Sequence, residues 1–376
     1  MLQGLKVLDV SRLLPGPYAT MVMADLGAQV DKLEDPEGGD MTRHMPPMKG
    51  DVSALFLALN RNKRSVTLNL KSAAGVEALK KMVQHYDVLV ESFRPGVMQK
   101  LGISAEVLMA LNPRLIVCSI SGYGQTGPDR LKAGHDIDYI ARSGVLGYSG
   151  PANGSHALPG AQIADIGGGL FGIIGILSAV IERQATGKGR HIDVSMTEAA
   201  MAFIHMHLGA RLQLGSEGAP LSAGREPLNG GYACYGVYKT SDNQSLAVGA
   251  LEPKFSLAML EALGRADLSA AVYDTGDEGL RARAQLEKIF AAQSASHWQA
   301  FFSKLDVCVE VVSAGDAVLA DPQLRARGVF SERGGVTHLK TPLVAADFPV
   351  SQAPRLGEHT ETILKECGVS APGDQR

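Results

Sequence analysis

Short apolar runs alternate with helical stretches along the first third of the chain, and this pattern constrains the fold more than any other feature. The strand-like runs are LKVLDVS, AQVDKLE, SVTLNLK, DVLVESF and RLIVCSI. Helical stretches such as PGPYATMVMADLG and AAGVEALKKMVQHY lie between them. Strands separated by helices of this length form βαβ units with right-handed crossovers. The sequence therefore predicts an α/β fold with a Rossmann-like parallel sheet.

The length of the chain predicts more than one domain, because 376 residues exceed what one small core holds. A Gly/Pro/Ser-rich stretch runs from Leu214 to Gly231, and the C-terminal tail is too short to form much of a core of its own. We expect the tail to return to the first domain, which makes that domain discontinuous. The predicted ranges are 1–200 and 330–376 for the large domain, 232–320 for a smaller α+β domain, and 201–231 and 321–329 for linkers.

Charge and cysteine content disfavour several classes of protein. The chain has 36 Lys and Arg against 39 Asp and Glu, and a surface for nucleic acid would show a basic stripe. The four cysteines are dispersed and form no CxxC pair, which disfavours structural zinc and a disulfide framework and predicts a cytoplasmic location. The longest apolar run, Gly167 to Ile181, is shorter than the roughly 18–20 residues of a membrane span and predicts a buried helix.

Two glycine-containing loops follow predicted strands. After the first strand, SRLLPGPY stands where a dinucleotide-binding fingerprint would be, so NAD binding is disfavoured. After the fifth strand, SGYGQTG is a turn whose amides could face an anion, although a plain turn explains it equally well. Both interpretations of the second loop stay open at this point.

Asp165, His135 and Glu252 are the candidates for chemistry. Asp165 opens the apolar helix and precedes three glycines, each of which weakens a helix by about 1 kcal/mol relative to Ala. We interpret the glycines as admitting a ligand to the backbone, where the positive helix end would stabilise an oxyanion, although a helix N-cap is the commoner role of such an acid. His135 lies in AGHDIDY beside Asp136, and the ordinary interpretation of such a histidine is a buried side chain bonded to a carbonyl. The ordinary interpretation of Glu252, in AVGALEPKF, is a solvated acid.

Several segments together resemble the class III CoA-transferase superfamily, from about Leu5 to Phe330. They are GLKVLDVSRLLPGPYATMVMADLGAQV, LNRNKRSVTLNLKS, DVLVESFRPGV, SGYGQTGP and ATGKGRHIDVSM. Within the superfamily, AGHDIDY, IADIGGG, LNGGYACYGVY and AVGALEPKF resemble the α-methylacyl-CoA racemase branch.

The resemblance implies an isomerase that inverts the carbon α to a CoA thioester through an enolate. His135 and Asp165 would exchange protons on the two faces of that carbon, and Glu252 would hold His135 in a productive tautomer. No metal or redox cofactor is implied, because coenzyme A enters as part of the substrate. The resemblance also implies an interlocked homodimer. The implied contacts with CoA are Leu68, Asn69, Lys71, Ser92, Phe93, Arg94, Lys100 and Asp136.

A CoA-transferase is the alternative that the sequence leaves open. Transferases of the superfamily share the acid at Asp165 but use it as a nucleophile that forms anhydride and thioester intermediates. LNRNKRSVTLNLK and the segment from Glu37 to Arg43 are more typical of that branch. Asp35 also stands where relatives often have an arginine near the CoA, and Lys32 or Arg43 could compensate for that charge.

Overall fold

The structure, a computed structural model, describes residues 1–152, 154–215, 221–333, 336–345 and 347–370. In chain order the strands are β1 (Lys6–Asp9), β2 (Gln29–Glu34), β3 (Met48–Lys49), β4 (Val52–Ser53), β5 (Lys63–Thr67), β6 (Val88–Glu91), β7 (Ile116–Ser121), β8 (His191–Ser195), β9 (Tyr235–Lys239), β10 (Ser245–Gly249), β11 (Val309–Val311), β12 (Phe330–Arg333) and β13 (Val336–Leu339). The helices are α1 (Pro15–Asp25), α2 (Ala54–Leu59), α3 (Ala73–Met82), α4 (Val97–Lys100), α5 (Ala105–Leu111), α6 (Asp136–Ser143), α7 (Val145–Tyr148), α8 (Ile163–Thr186), α9 (Met196–Ala202), α10 (His205–Leu214), α11 (Pro253–Ala262), α12 (Asp277–Phe290), α13 (Ala295–Phe302), α14 (Asp316–Ala320), α15 (Pro322–Ala326) and α16 (Thr360–Glu366).

The chain divides into two compact units. The first comprises Met1–Ser143, Ala161–Ala202 and Pro322–Arg376, and the second comprises Gly144–Gly160 and Phe203–Asp321. These boundaries differ from the predicted ones in three places: residues 144–160 join the second unit, most of the predicted linker 321–329 joins the first, and most of the predicted linker 201–231 joins the second. Within that linker 216–220 lie outside the described residues, as do 334–335, 346 and 371–376 of the tail.

The first unit contains a six-stranded sheet in the order β5-β2-β1-β6-β7-β8, with every pairing parallel. The predicted parallel α/β sheet is therefore confirmed. The strands are short, and those at the centre are fully buried because helices cover both faces of such a sheet. From β1 the chain adds strands outward on one side and then, from β6, on the other. In open α/β sheets, ligands bind beyond the carboxyl ends of the strands at this switch between β1 and β6.

Helix α8 is the apolar helix that the sequence predicts, and it extends beyond the apolar run at both ends. By length and composition it could cross a membrane, a criterion that packed core helices also meet. Its glycines lie against neighbouring elements: a Cβ on Gly169 would come within 2.7 Å of the Pro15 carbonyl oxygen of α1. Gly169 thus allows α8 to approach α1 closely, and Gly168 lies against Met196 of α9, so packing accounts for two of the three glycines that we interpreted as admitting a ligand.

In the second unit, β9, β10 and β11 form an antiparallel sheet in the order β11-β10-β9. The strand pair predicted from YACYGVYKTSDNQSLAVGA is confirmed, with Asn243 at positive φ in its turn. Phe290 of α12 is fully buried in the core of this unit and packs on Tyr238 and Trp298.

Candidate active site

The loops that follow β1 and β6 contact each other at the switch point of the sheet. The backbone N–H of Arg12 donates to Ser92 Oγ at 2.9 Å. The guanidinium of Arg12 lies over the ring of Phe93, 5.0 Å from its centroid. The two loops therefore form one wall, built from Arg12, Ser92 and Phe93.

This wall lines a cavity of about 640 Å³, which we call the His135 cavity. The cavity brings together five of the predicted site residues: Ser92, Phe93, Arg94, His135 and Asp165. Its other lining residues include Pro15 of α1, Gly122 after β7, Tyr139 of α6 and Met196 at the start of α9. Two predicted acid–base groups and three predicted CoA contacts thus share one cavity.

His135 and Asp165 lie at the starts of two helices. His135 directly precedes α6, and its backbone N–H donates to Asp138 Oδ2 at 2.9 Å, which caps the first turn. Asp165 is in the first turn of α8. The two helix starts are joined by Asp136, whose Oδ1 accepts the backbone N–H groups of Ala164 at 2.7 Å and Asp165 at 3.0 Å.

The bonds of Asp136 change two expectations. The amides of Ala164 and Asp165 are occupied by a carboxylate of the chain itself, so they are not the free oxyanion donors that the sequence suggested. Asp136 itself has a capping role that the sequence did not predict, because a carboxylate at a helix N-terminus is stabilised there. Its contact with CoA stays a prediction.

The carboxyl group of Asp165 has an altered pKa. Burial and, to a smaller extent, the negative charge of Asp136 raise this pKa to about 6, while the charge of His135 opposes the rise. A carboxyl group with a pKa near neutrality can both accept and donate a proton at physiological pH.

A second cavity, of about 300 Å³, adjoins the first and shares Arg12 and Phe93 with it. We call it the Leu68 cavity, because Leu68 and Lys71 line it as the sequence predicted. Asn69 holds the turn between them: its Oδ1 accepts the backbone N–H of Lys71 at 2.9 Å.

The Leu68 cavity also has acidic lining, which includes Asp35. Asp35 lies 3.8 Å from the ammonium group of Lys71. Lys32 and Arg43, expected to compensate for Asp35, are engaged elsewhere. Lys32 is fully buried and pairs with Asp40 at 3.0 Å, and Arg43 forms a bidentate pair with Glu34 at 2.7 and 2.8 Å. That expectation was wrong, because both cations neutralise carboxylates in the protein interior.

The other two predicted residues lie elsewhere. Lys100, at the end of α4, lines a third cavity together with Arg94. Glu252 belongs to the second unit, where it is the N-cap residue of α11. Its proposed action on His135 stays a prediction.

A backbone amide of the SGYGQTG loop binds a carboxylate of the chain itself. The backbone N–H of Gln125 donates to both carboxylate oxygens of Asp193, at 3.1 and 3.0 Å. Gly122 is required for packing, since a Cβ there would lie 2.4 Å from the ring of Tyr139. Of the two interpretations left open, the structural turn is therefore favoured.

Two residues of the site were missed from the sequence. Arg12 lines both the His135 cavity and the Leu68 cavity, and its position in the loop that follows β1 was the available signal. Tyr139 donates from its hydroxyl to the Gly134 carbonyl at 2.6 Å, which holds the loop before His135. Burial and the charge of Asp165 raise the pKa of Tyr139 to about 12, so it remains a donor. Within the described ranges, no group of three or more His, Cys, Asp or Glu side chains is arranged to hold a metal ion.

Comparisons with known proteins agree with this architecture. The chain is 36% identical to the human α-methylacyl-CoA racemase over 375 residues, which covers 98% of this chain and 94% of the relative. It is 34% identical to the human succinyl-CoA:glutarate CoA-transferase over 379 residues, covering 97% and 85% of the two chains. The crystal structure of a CAIB/BAIF family protein from Brucella suis superposes with a TM-score of 0.84 at 32% identity, covering 97% of this chain and 99% of that one.

Residues 2–360 match the family described as CoA-transferase family III. The relatives include a racemase and a transferase at similar identity, so this level of similarity supports an enzyme of the family without selecting one reaction. With the match extending across both units, the chain belongs to CoA-transferase family III.

Proposed function

We propose that the protein is a racemase of 2-methylacyl-CoA thioesters that works by 1,1-proton transfer. The single observation that carries this proposal is that His135 and Asp165 face one cavity, where burial raises the pKa of Asp165 to about 6. Inversion of a carbon α to a thioester needs a base on one face and an acid on the other. An imidazole and a carboxyl group that titrates near neutrality can exchange these roles.

In this mechanism Asp165 removes the α-proton of one enantiomer and His135 delivers a proton to the opposite face. The reverse assignment converts the other enantiomer. The enolate between them requires hydrogen-bond donors at its oxygen. Since the amides of Ala164 and Asp165 are occupied, and that of His135 is bonded to Asp138, the donor must come from another group. The mechanism needs no metal and no redox cofactor, because only protons move.

We place the CoA part of the thioester along the wall shared by the two cavities. Arg12 and Phe93 line both cavities, so a ligand extending from the Leu68 cavity to the His135 cavity would pass these two residues. Arg12 and Arg94 are exposed cations there and can bind phosphate oxygens in bidentate fashion.

The test is incubation of one enantiomer of 2-methylacyl-CoA in heavy water without an acyl acceptor. We expect deuterium at the α-carbon together with loss of optical purity. Asp165→Ala and His135→Ala should each lower both by about 10²–10⁴-fold. His85→Ala, at an exposed histidine after α3, is the matched control and should retain both activities.

The transferase remains the second candidate because a transferase relative is nearly as similar as the racemase. In that reaction Asp165 would attack the thioester carbonyl, and CoA would leave and later return to a different acid. Retention of the α-proton, transfer of CoA to added succinate and a hydroxylamine-sensitive adduct on Asp165 would establish the transferase and exclude the racemase.

We also propose a homodimer, as the resemblance implies. Helix α8 exposes apolar side chains, among them Ile174 at 56% and Ile181 at 68% of full exposure, and such side chains favour burial against a partner. Light scattering at micromolar concentration should give twice the monomer mass, and a monodisperse monomer would contradict this proposal.

A further inference from the structure

Glu91 is a buried carboxyl group that the proposed proton transfer does not use. It is the last residue of β6, only 3% exposed, and directly precedes the Ser92–Arg94 loop. Its Oε2 accepts the backbone N–H of Phe93 at 2.7 Å. The side chain of Glu91 thus fastens the loop that lines both cavities.

Ser119 lies between Glu91 and the edge of the sheet. It is paired with Glu91 on β7 and lowers the pKa of the Glu91 carboxyl group. Ser119 Oγ lies 2.9 Å from Nε2 of His191, which is exposed at the edge strand β8.

Among the residues that the structure describes, no cation lowers the pKa of Glu91. Asp193 of β8 repels it, and Cys118 of β7 is a buried thiol whose pKa Glu91 raises. On the β1 side, Asp9 is paired with Lys63 at 3.0 Å. The remaining titratable or charged groups that share its cavity, apart from Glu106, are Arg94, Lys100, Arg130 and His191. Burial raises the pKa of Glu91 to about 7, against the hydrogen bonds from Ser119 and Phe93 and with help from Asp193.

We propose that Glu91 is a positioning residue whose ionised carboxylate holds the Ser92–Arg94 loop and thereby strengthens CoA binding. An ionised acceptor makes a stronger hydrogen bond with the Phe93 amide than a neutral one does. The Phe93 ring and Ser92 in turn hold Arg12 through the contacts described above. This inference rests on the proposed function, because it takes CoA to bind along that wall.

The experiment is calorimetric titration of free CoA into the full-length protein from pH 5.5 to 8.5. The wild type should bind CoA about fivefold more tightly at pH 8 than at pH 5.5 through this group alone. CoA itself titrates in this range because the second pKa of a phosphate monoester is about 6. The effect is therefore taken as the difference from Glu91→Gln, whose side chain is neutral at every pH.

Glu91→Gln should bind CoA at pH 8 about fivefold more weakly than the wild type and equally at pH 5.5. Ser119→Ala removes a donor to the charged form, so its transition should move to higher pH. Glu106→Gln, at an exposed acid of the same cavity, is the matched control and should follow the wild type.

In turnover assays the change should fall on KM and leave kcat unaltered, which a general loss of folding would not produce. CoA binding with the same pH dependence in the wild type and Glu91→Gln would overturn this inference alone. Failure of the wild type to bind CoA at any pH would overturn both this inference and the proposed function.

Discussion

The two units of the molecule bury different kinds of side chain. Among the residues described, every buried Asp, Glu, Lys and Arg belongs to the first unit. Lys63, for example, lies 3.0 Å from Asp9, with both side chains fully buried. The core of the second unit is aromatic at its centre, where Phe290 packs on Tyr238 at 5.0 Å and on Trp298 at 5.3 Å between ring centroids.

The charged core of the first unit is better explained by positioning than by stability. Buried ion pairs rarely add net stability compared with apolar residues of similar volume. Here they hold the loops after β1 and β6: Lys32 Nζ donates to the Ser11 carbonyl at 3.0 Å, and Asp9 Oδ1 accepts the Ser11 N–H at 3.0 Å. Glu91 does the same for Phe93 on the other side of the switch point. The comparison indicates that the unit with the cavities uses buried charge to hold its loops in place, whereas the second unit is held by apolar packing.

The largest effect is expected when the charged core is broken. Asp9→Ala leaves the buried ammonium groups of Lys32 and Lys63 without that partner and should lower the free energy of unfolding by about 3–5 kcal/mol. Denaturant unfolding measures this loss. Asp267→Ala in the second unit removes an exposed acid paired with Arg265 and should hardly move the midpoint. Similar midpoints for the two variants would show that the two units do not differ in this respect.

A smaller effect is expected at Glu91, a buried acid whose pKa no described cation lowers. Because the pKa of Glu91 is raised to about 7 in the folded protein, the folded state binds its proton more tightly than the unfolded state does. The resulting stability is fully present below about pH 4.5 and is lost as the pH rises through 7. Glu91→Gln avoids this loss, so at pH 8 it should be more stable than the wild type by about 3 kcal/mol, with little difference at pH 4.

Denaturation midpoints measured across that pH range test this prediction. Glu261→Gln, at an exposed acid of the second unit, should follow the wild type at every pH. If the curves for Glu91→Gln and the wild type run parallel, the folded state does not raise the pKa of Glu91.

The smallest effect is expected at Asp136, where one substitution keeps the helix cap but removes the negative charge. Asp136→Asn keeps an oxygen for the amides of Ala164 and Asp165 but removes the negative charge that helps to raise the pKa of Asp165. The pKa of Asp165 should fall from about 6 toward its ordinary value. Exchange of the α-proton at pH 5 should then be about two- to threefold faster, with no change at pH 8 where Asp165 is already ionised.

Initial rates of deuterium exchange between pH 4.5 and 8 give the pH at which the exchange rate rises. Asp129→Asn, which removes a charge paired with Arg142, should leave this pH unchanged. If the exchange rate of Asp136→Asn rises at the same pH as that of the wild type, Asp136 acts only as a helix cap.

The parallel sheet and its strands could be predicted from the chain alone, because alternating apolar runs and helices of this length have few other solutions. The sequence also placed Ser92, Phe93 and Arg94 correctly after a strand end, and the motifs around His135 and Asp165 indicated acid–base chemistry. These are local signals: each depends on residues adjacent in the chain.

The hydrogen-bond and ion-pair partners of several residues are distant in the chain and were therefore known only from the tertiary structure. The amides at the start of α8 donate to Asp136 of α6. Lys32 and Arg43 form ion pairs with carboxylates inside the first unit. Gly169 allows the approach of α1, and burial raises the pKa of Glu91. No pattern along the chain contains this information, because hydrogen-bond competition and desolvation depend on which residues meet after folding.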